Sequence, residues 1–531
     1  MCSTTLPKNM EFDYIIIGGG SAGCVLANRL SANSDQQVLL LEAGPADKNL
    51  LIKIPAAFYK LYKSKVDYGF YTEAQAGAAD RRLFVPRGKT LGGSGAINAM
   101  IYIRGHRLDY DGWADAGNPG WSYEEVLPYF KRSEHNHTFG GNAFHGQTGE
   151  WHISSQQPHP LTQIYVAAAQ AAGYPALADF NAQEDFGIGV HQVNIKNGKR
   201  HSPAHAFLIP ARSRANLTVK TGLHVERLQL DAQCVSGVWV QLHGRLQLLK
   251  ARKEVVLTAG SIHSPLLLLR SGIGDSTYLS GLGITPLHHL AGVGQNLQDH
   301  PVVPLVYRTQ KGASLDSADN LWNLGRWLFT QKGPFTSNLA EGGGFLRSEP
   351  GLPAPDLQLH FAPAFFVNHG FDKPQGNGMS LAPILLQPES RGTVRLHPNN
   401  FHKPLIDPRV FQSPNDLRVL REGFKMAQQI LHQEVFTPWR QAPFLPQVAL
   451  NNDVDIDQYI RENVELLYHP VGTCKMGADE EAVVDAQLRV HGLSGLRIAD
   501  ASIMPTITRG NTQAPTIMIA EKAADLILGR V

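Results

Sequence analysis

The sequence predicts an α/β protein of two domains, one on a parallel sheet crossed by helices and one on a mostly antiparallel sheet with helices. Three observations carry this. The N-terminal stretch "FDYIIIGGGSAGCVLANRLSANSDQQVLLLEAG" (12–44) alternates apolar strand, glycine turn, helix and apolar strand. "EVVLTAGSIHSPLLLLRSGIG" (254–274) repeats the strand–turn–helix order. Between residues 306 and 464 the pattern shifts to isolated strand-like pieces and one long helix. At 531 residues the chain exceeds one small core, and its length allows two to four domains.

In the first stretch, Tyr14–Ile17 form a short β-branched run suited to a buried parallel strand. Gly18, Gly20 and Gly23 follow as GxGxxG, with Ser21 and Ala22 opening the helix. Gly18 permits the turn, Gly20 lets a pyrophosphate approach, and Gly23 lets the helix pack on the sheet. The helix N-terminus offers free N–H groups and partial positive charge to phosphate. Val38–Leu41 form the second strand, ending in Glu42 and Ala43; Glu42, nineteen residues past Gly23, is placed to accept from a ribose diol. This is a Rossmann-like dinucleotide site, and the motif alone does not separate FAD from NAD.

"RGKTLGGSGAINAMIYIRG" (87–105) crowds glycines behind two cations, Arg87 and Lys89. Such a loop, with Leu91, Gly92, Gly93, Asn98 and Ala99, can wrap its amides round a phosphate or ring edge; the plainer reading is a surface loop. The apolar "INAMIYI" after it argues for burial and a cofactor contact. The strand 254–258 ends in Ala259-Gly260, another close approach of backbone to the dinucleotide, or simply one more βα unit.

Composition excludes several classes. Net charge of +2 gives no field for nucleic acid. Cys2, Cys24, Cys234 and Cys474 lack CxxC spacing, so neither a disulfide framework nor a zinc site is expected, and no metal is assigned. This fits a reducing compartment, the cytoplasm. "MCSTTLPKNMEF" lacks an apolar h-region, and no apolar run reaches transmembrane length. Peripheral contact with the inner membrane stays open. Near the C-terminus "YHPVGTCKMG" (468–477) poses a question about His469. In isolation such a histidine is more often structural, and the other readings are a metal ligand, half of a Cys/His pair or a proton-handling group.

The chain resembles the glucose–methanol–choline (GMC) oxidoreductases. GKTLGGSGAINAMIYIRG (88–105) and GSIHSPLLLLRSGIG (260–274) match the family's two signature segments, and the likeness runs from about Asp13 to the C-terminus. It looks closest to the bacterial branch with choline and aliphatic alcohol dehydrogenases, through "GPFTSNLAEGGGFLRS" (333–348) and "PDLQLHFAP" (355–363). The resemblance implies FAD. It adds Val225, Asp500, Ala501 and Gln513 to the expected cofactor contacts. Gly95 stands where relatives carry a second serine, which removes a hydroxyl and is expected to loosen the loop. Ile97 stands where some relatives attach FAD through a histidine, so non-covalent FAD is expected.

By the same resemblance His469 is the catalytic histidine. Alcohol oxidation removes a hydroxyl proton and a hydride from one carbon, and a neutral imidazole suits the proton while flavin N5 suits the hydride. The rival readings are weaker: the segment offers only Cys474 as a second ligand, and no orienting partner for a Cys/His pair. Asn511, forty-two residues on, takes the place where relatives carry His or Asn. An amide can orient the substrate oxygen but cannot act as its base. The helix starting near Pro515 would direct its N-terminus at the flavin.

The expected FAD-binding domain is 10–155, 195–305 and 465–531; the substrate domain is 156–194 and 306–464. "NHGFDKPQGNGMS" (368–380) reads as a loop at the active-site mouth. Phe365 and Phe366 are either pocket or core, and Glu341 is the candidate partner for a quaternary ammonium. The expected activity is FAD-dependent oxidation of primary aliphatic or aromatic alcohols, with electrons passing to a quinone-type acceptor. Use of oxygen as acceptor is the first alternative. A hydroxynitrile lyase-like role with structural FAD is the second. A light-driven decarboxylase is disfavoured, because His360 stands where such relatives carry Arg.

Overall fold

The computed structural model describes residues 11–242 and 244–530. Cys2 and all but two residues of the stretch read for an export leader lie outside the described residues.

Strands Glu11–Ile17, Val38–Glu42, Leu217–Thr221, Arg245–Leu257 and Leu496–Ile498 form the parallel part of a seven-stranded sheet. Strands Cys234–Leu242 and Val225–Asp231 extend it antiparallel. The register sets Ile17 beside Leu41 and Leu257, and Leu257 beside Ile498. Three strands therefore finish level, and the chain leaves each at Gly18, Thr258 and Ala499 on one edge. In open parallel sheets ligands bind off this carboxyl edge.

Ile15, Ile16 and Leu39 are fully buried, as a strand covered on both faces requires. Helix Ser21–Leu30 covers one face and packs on helix Gln513–Leu528. A Cβ on Gly23 would lie 1.9 Å from the Gly18 carbonyl oxygen, so only glycine lets this helix start so near the strand.

The second sheet has eight strands and is antiparallel, with Pro443–Leu445, Leu305–Thr309, Asn377–Leu385, Leu357–Ala362, Gly342–Leu346 and Gly187–Val190 in spatial order. Helix Pro414–Leu431 lies on it and buries Leu420, Phe424, Ala427 and Ile430, spaced as one helical face. The expected antiparallel substrate-side sheet is thus present. The hairpin Thr393–His397/Asn400–Asp407 departs from the sequence division, since Val394, Leu396 and Ile406 join the core of the first sheet.

The two sheets meet where Pro301 pairs with Leu466 and Val302 with Glu465, in short strands at the border of the second sheet. A buried ion cluster ties helix Gln513–Leu528 to its neighbours. The Glu521 carboxylate is fully buried and accepts from Arg29 at 2.7 and 2.9 Å and from Arg132 Nε at 2.8 Å. Removing Glu521 takes one carboxylate from each arginine while Arg29 keeps Glu150 at 2.6 Å and Arg132 keeps Asp525 at 2.7 Å, so the cost lies below the about 3–5 kcal/mol of stranding a buried charge. Glu521→Ala is expected to lower the thermal unfolding midpoint of the holoenzyme by several degrees, read by far-UV circular dichroism. An unchanged midpoint would mean that water re-solvates both arginines.

Candidate active site

A cavity of about 370 Å³ runs from the carboxyl edge of the first sheet to the face of the second. Gly18, Gly20, Ser21, Ala22, Glu42, Ala43, Arg87, Gly93, Asn98, Ala99, Val225, Ala259, Gly260, Asp500, Ala501 and Gln513 all line it, as do His469 and Asn511. Three expected residues do not. Gly23 packs the helix. Gly92 donates its N–H to the Gly19 carbonyl at 2.7 Å, and Leu91 packs against Gly19, so both support the glycine turn from behind.

At the turn, helix Ser21–Leu30 begins at Gly20 with no side-chain cap, leaving first-turn N–H groups open to an anion. Glu42 does more than the sequence suggests. Its two oxygens accept from Gly19 N–H at 2.8 Å and Gly44 N–H at 2.7 Å, bracing the loop while facing the cavity. Burial pushes its carboxyl up to about 7, against those hydrogen bonds. Asp500 is likewise an internal brace: it accepts from Gly260 N–H at 2.9 Å, Ser264 Oγ at 2.6 Å and Ser502 N–H at 2.8 Å.

Further along, the hydrogen-bond directions are fixed by chemistry. Arg200 can only donate, so Asn98 Oδ1 accepts from it at 2.8 Å. Asn98 Nδ2 then donates to Gln513 Oε1 at 2.5 Å. Gln513 Nε2 is left buried without a partner, at the uncapped start of helix Gln513–Leu528. A buried unpaired donor is destabilising unless a ligand accepts from it. A flavin carbonyl meets that need, and the open N–H groups at Gly20 meet that of a pyrophosphate, so the donor set fits FAD. Gly95 belongs to this wall. The expectation of a loosened loop is corrected: a Cβ there would lie 2.6 Å from Gln513 Nε2 and 2.8 Å from the Pro203 ring.

His469 sits on an arch held by a clasp with residues 298–300. Gln298 and Val471 exchange backbone hydrogen bonds at 2.9 and 3.2 Å, and Leu467 N–H donates to the His300 carbonyl at 2.9 Å. Asp299 Oδ1 accepts the N–H of both His469 and His300 at 2.8 Å. Tyr468 takes φ +68°, a strained value for a tyrosine, and Arg87 and His369 hydrogen-bond its carbonyl and hydroxyl.

The imidazole tautomer follows from the same network. His300 Nε2 lies 3.1 Å from the Leu386 carbonyl, which only accepts, so Nε2 carries the proton. His300 Nδ1 then accepts from His469 Nδ1 at 3.0 Å, and His469 Nε2 is left with its lone pair. That nitrogen faces Asn511 Nδ2 at 3.2 Å, and Asn511 Oδ1 accepts from Gln358 at 3.3 Å. Burial holds His469 well below its ordinary pKa, reinforced by His300, His360 and the Arg87 charge. Burial also drives His300 down to about 3 and Asp299 up to about 7.

The sequence reading missed His300, Asp299, Gln358 and His360. Only "QDHP" (298–301), a histidine beside an acid and a proline, hinted at the first two. Two expectations change. Glu341 is buried off the cavity and accepts from Ser337 Oγ, Thr162 Oγ1 and His159 N–H at 2.6–2.8 Å, so it holds the start of helix Pro160–Ala171 instead of a ligand. Phe366 lines the cavity, whereas Phe365 packs in the interior against Phe444. The Cys474 thiol is buried and its pKa pushed far up by burial, which disfavours a thiolate nucleophile. Among the described residues no metal-binding constellation includes His469.

These features agree with known proteins. The chain matches the GMC oxidoreductase family over residues 12–302 and 388–520, and it belongs to that family. It is an FAD-dependent oxidoreductase. It is 41% identical to an oxygen-dependent choline dehydrogenase of Vibrio vulnificus (strain YJ016), over 98% of this chain and 94% of that one. It is 41% identical to an alcohol dehydrogenase [acceptor] of Pseudomonas putida, over 98% and 96%. Among solved structures, pyridoxine 4-oxidase from Mesorbium loti superposes with TM-score 0.89 at 34% identity, over 97% and 98%.

Gly95→Ser tests the cavity wall. The added atoms displace Gln513, and overpacking of this kind costs about 1–3 kcal/mol. FAD affinity is expected to fall about tenfold, read as a lower 450/280 nm ratio after gel filtration. Equal FAD retention would show that the wall yields.

Proposed function

We propose that the protein oxidises primary alcohols to aldehydes, with His469 Nε2 taking the hydroxyl proton and Asn511 orienting the oxygen. The observation that carries this is the unprotonated Nε2 of a neutral, buried imidazole facing an amide donor across the cavity. FAD, when bound, supplies the two-electron acceptor. The chain's own residues do the rest. His300 fixes the tautomer, Asp299 and the clasp fix the ring's position, and the dry wall keeps the base uncharged until substrate arrives. The first-sheet domain (10–155, 195–305, 465–531) carries the cofactor and the second (156–194, 306–464) closes the substrate side. Ile97, an alkyl side chain on the cavity wall, supports non-covalent FAD.

The wall near His469 is aromatic, with Phe58, Tyr62, Phe366 and Tyr468. Its one carboxylate there, Glu465, is paired with Arg81 and His369 at 3.2 Å. An uncharged aliphatic or aromatic alcohol suits this wall better than choline, which needs a free anion or an open cage. The acceptor is a quinone-type molecule or oxygen; the relatives' names give oxygen for one and an unspecified acceptor for another.

Contact with a membrane surface is supported by helix Leu321–Thr330. Leu321, Trp322 and Phe329 are 80–90% exposed on one face, while Trp327 anchors the other by donating to the Gly198 carbonyl at 2.8 Å. Exposed Arg326 and Lys332 flank the apolar face, a pattern suited to anionic lipid. No helix among the described residues is long and apolar enough to cross a membrane. Trp322→Ser/Phe329→Ser is expected to abolish co-sedimentation with phosphatidylglycerol vesicles without changing alcohol turnover; persistent co-sedimentation, or a change in oligomeric mass by light scattering instead, would assign that face elsewhere.

The deciding experiment is anaerobic mixing with octanol, benzyl alcohol and choline while the flavin absorbance is followed. Bleaching by the first two, slowed about 10²–10⁴-fold in His469→Ala with FAD retained, is expected. Failure of every alcohol to bleach intact flavin would favour the lyase-like reading, and readmitted air separates oxidase from dehydrogenase. The pH profile gives a second check. A base is lost when protonated, and a lowered pKa moves that loss to more acid pH. The acid limb of kcat/KM is therefore expected below the ordinary imidazole value of about 6.5. A limb at or above 7 would contradict a buried neutral base.

A further inference from the structure

A second group of histidines lies outside the flavin cavity, and backbone register builds it. Strands Glu134–Asn136 and Trp151–Ser155 pair in parallel, with His135 opposite His152. Side chains alternate along a strand. Glu134 and Asn136 therefore turn inward, where Glu134 meets Arg104 and His145 and Asn136 meets Gln192. His135 and His137 share the other face. His137 stays in the ladder, donating its N–H to the Ile153 carbonyl at 3.0 Å. Three imidazoles thus occupy one small patch, with ring centres 3.7–5.1 Å apart.

Their nitrogens converge. His137 Nε2 and His152 Nδ1 stand 3.2 Å apart, and one ring nitrogen from each histidine lies within 4.8 Å of the other two. Two nitrogens bound to one tetrahedral ion at 2.0–2.1 Å stand roughly 3.3 Å apart. The observed pair already has that bite, and a His135 ring nitrogen lies within 4.8 Å of both. His135 and His152 are half-buried and His137 is exposed, so the site is supported from below and open to solvent. The His152 N–H donates to His201 Nδ1 at 3.2 Å, which fixes the strand beneath it. Lys196 is the one cation noted against the cluster, and it is exposed.

We propose that His135, His137 and His152 form a surface site for one divalent cation of the imidazole-preferring class, Zn²⁺, Cu²⁺ or Ni²⁺. Three nitrogens without a carboxylate select these ions over Mg²⁺ and Ca²⁺. The site is independent of the alcohol-oxidising reading and takes no part in that chemistry. Its structural effect is to clamp the ends of segment 137–151, adding to the backbone pairing and to the Thr138 Oγ1–Ser155 Oγ contact at 3.0 Å.

The test uses the untagged, FAD-loaded protein after chelator dialysis. Zn²⁺ titrated calorimetrically is expected to bind one equivalent per chain, weakened at least tenfold in His137→Ala and in His135→Ala. Cu²⁺ added at one equivalent is expected to show electron paramagnetic resonance coupling to three nitrogens, falling to two in each variant. His137 is exposed, so His137→Ala should keep the wild-type metal-free melting midpoint and separate lost binding from lost fold. Equal Zn²⁺ affinity in wild type and both variants, or an unchanged nitrogen count, would overturn the proposal, as would Mg²⁺ displacing Zn²⁺ at equal concentration.

Discussion

Everything at the catalytic end depends on the clasp between residues 298–302 and 465–471, segments about 170 residues apart. Backbone hydrogen bonds at Gln298/Val471 and the short pairings at Pro301/Leu466 and Val302/Glu465 lock it. Asp299 closes it from one side chain. The clasp sits at the border of both sheets, so one structure fixes the imidazole and joins the two halves. The strained φ at Tyr468 is tolerated because hydrogen bonds on both sides over-determine it. Such strain is of order 1–3 kcal/mol, less than the hydrogen bonds that hold the arch together contribute.

Polarity is rationed along the cavity. At the glycine turn and along Arg200, Asn98 and Gln513, donors are lined up and one is left unpaired for a ligand. At the His469 end the wall is largely aromatic, with imidazoles whose pKa burial lowers, the Asn511 amide and the paired Glu465 carboxylate. Burial has opposite consequences for the two charge types. It pushes Glu42 and Asp299 up toward neutrality and pulls the histidines down toward it. Both reduce the charge carried by buried groups around the cavity.

Legibility in the sequence tracked locality. The glycine turn, its strands and Glu42 lie within thirty residues, and their spacing alone placed them. Gln513 and Asn98 came from motif resemblance and line the same cavity, yet their shared hydrogen bond spans 415 positions and could not be read. His300 was invisible for the same reason, because its role exists only against His469. Glu341 misled in the opposite direction: a carboxylate in a glycine-rich stretch looked free for a ligand, while Ser337 four residues before it and Thr162 and His159 from one distant segment hold it. The hairpin at 393–407 lies inside the stretch divided to the substrate side, yet packs Val394, Leu396 and Ile406 with the first core, since period-2 alternation states that one face is buried and not against what.

The order of the chain follows from the clasp. The glycine turn of the dinucleotide cradle needs only one βαβ unit, which ends at Glu42. His469, at the far end of the cavity, is held where the two sheets meet, away from the turns that occupy the carboxyl edge of the first. The chain therefore builds strand Leu305–Thr309 and the rest of the second sheet, and only then returns through Glu465–Leu466 to lay His469 against His300. Helix Gln513–Leu528 comes last for a similar reason: its N-terminus supplies Gln513 beside Asn98, while its body seals helix Ser21–Leu30 through the buried Glu521–Arg29 contact. The final helix thus binds the beginning of the chain to the site that the end of the chain completes, so cofactor cradle and base are held in one frame.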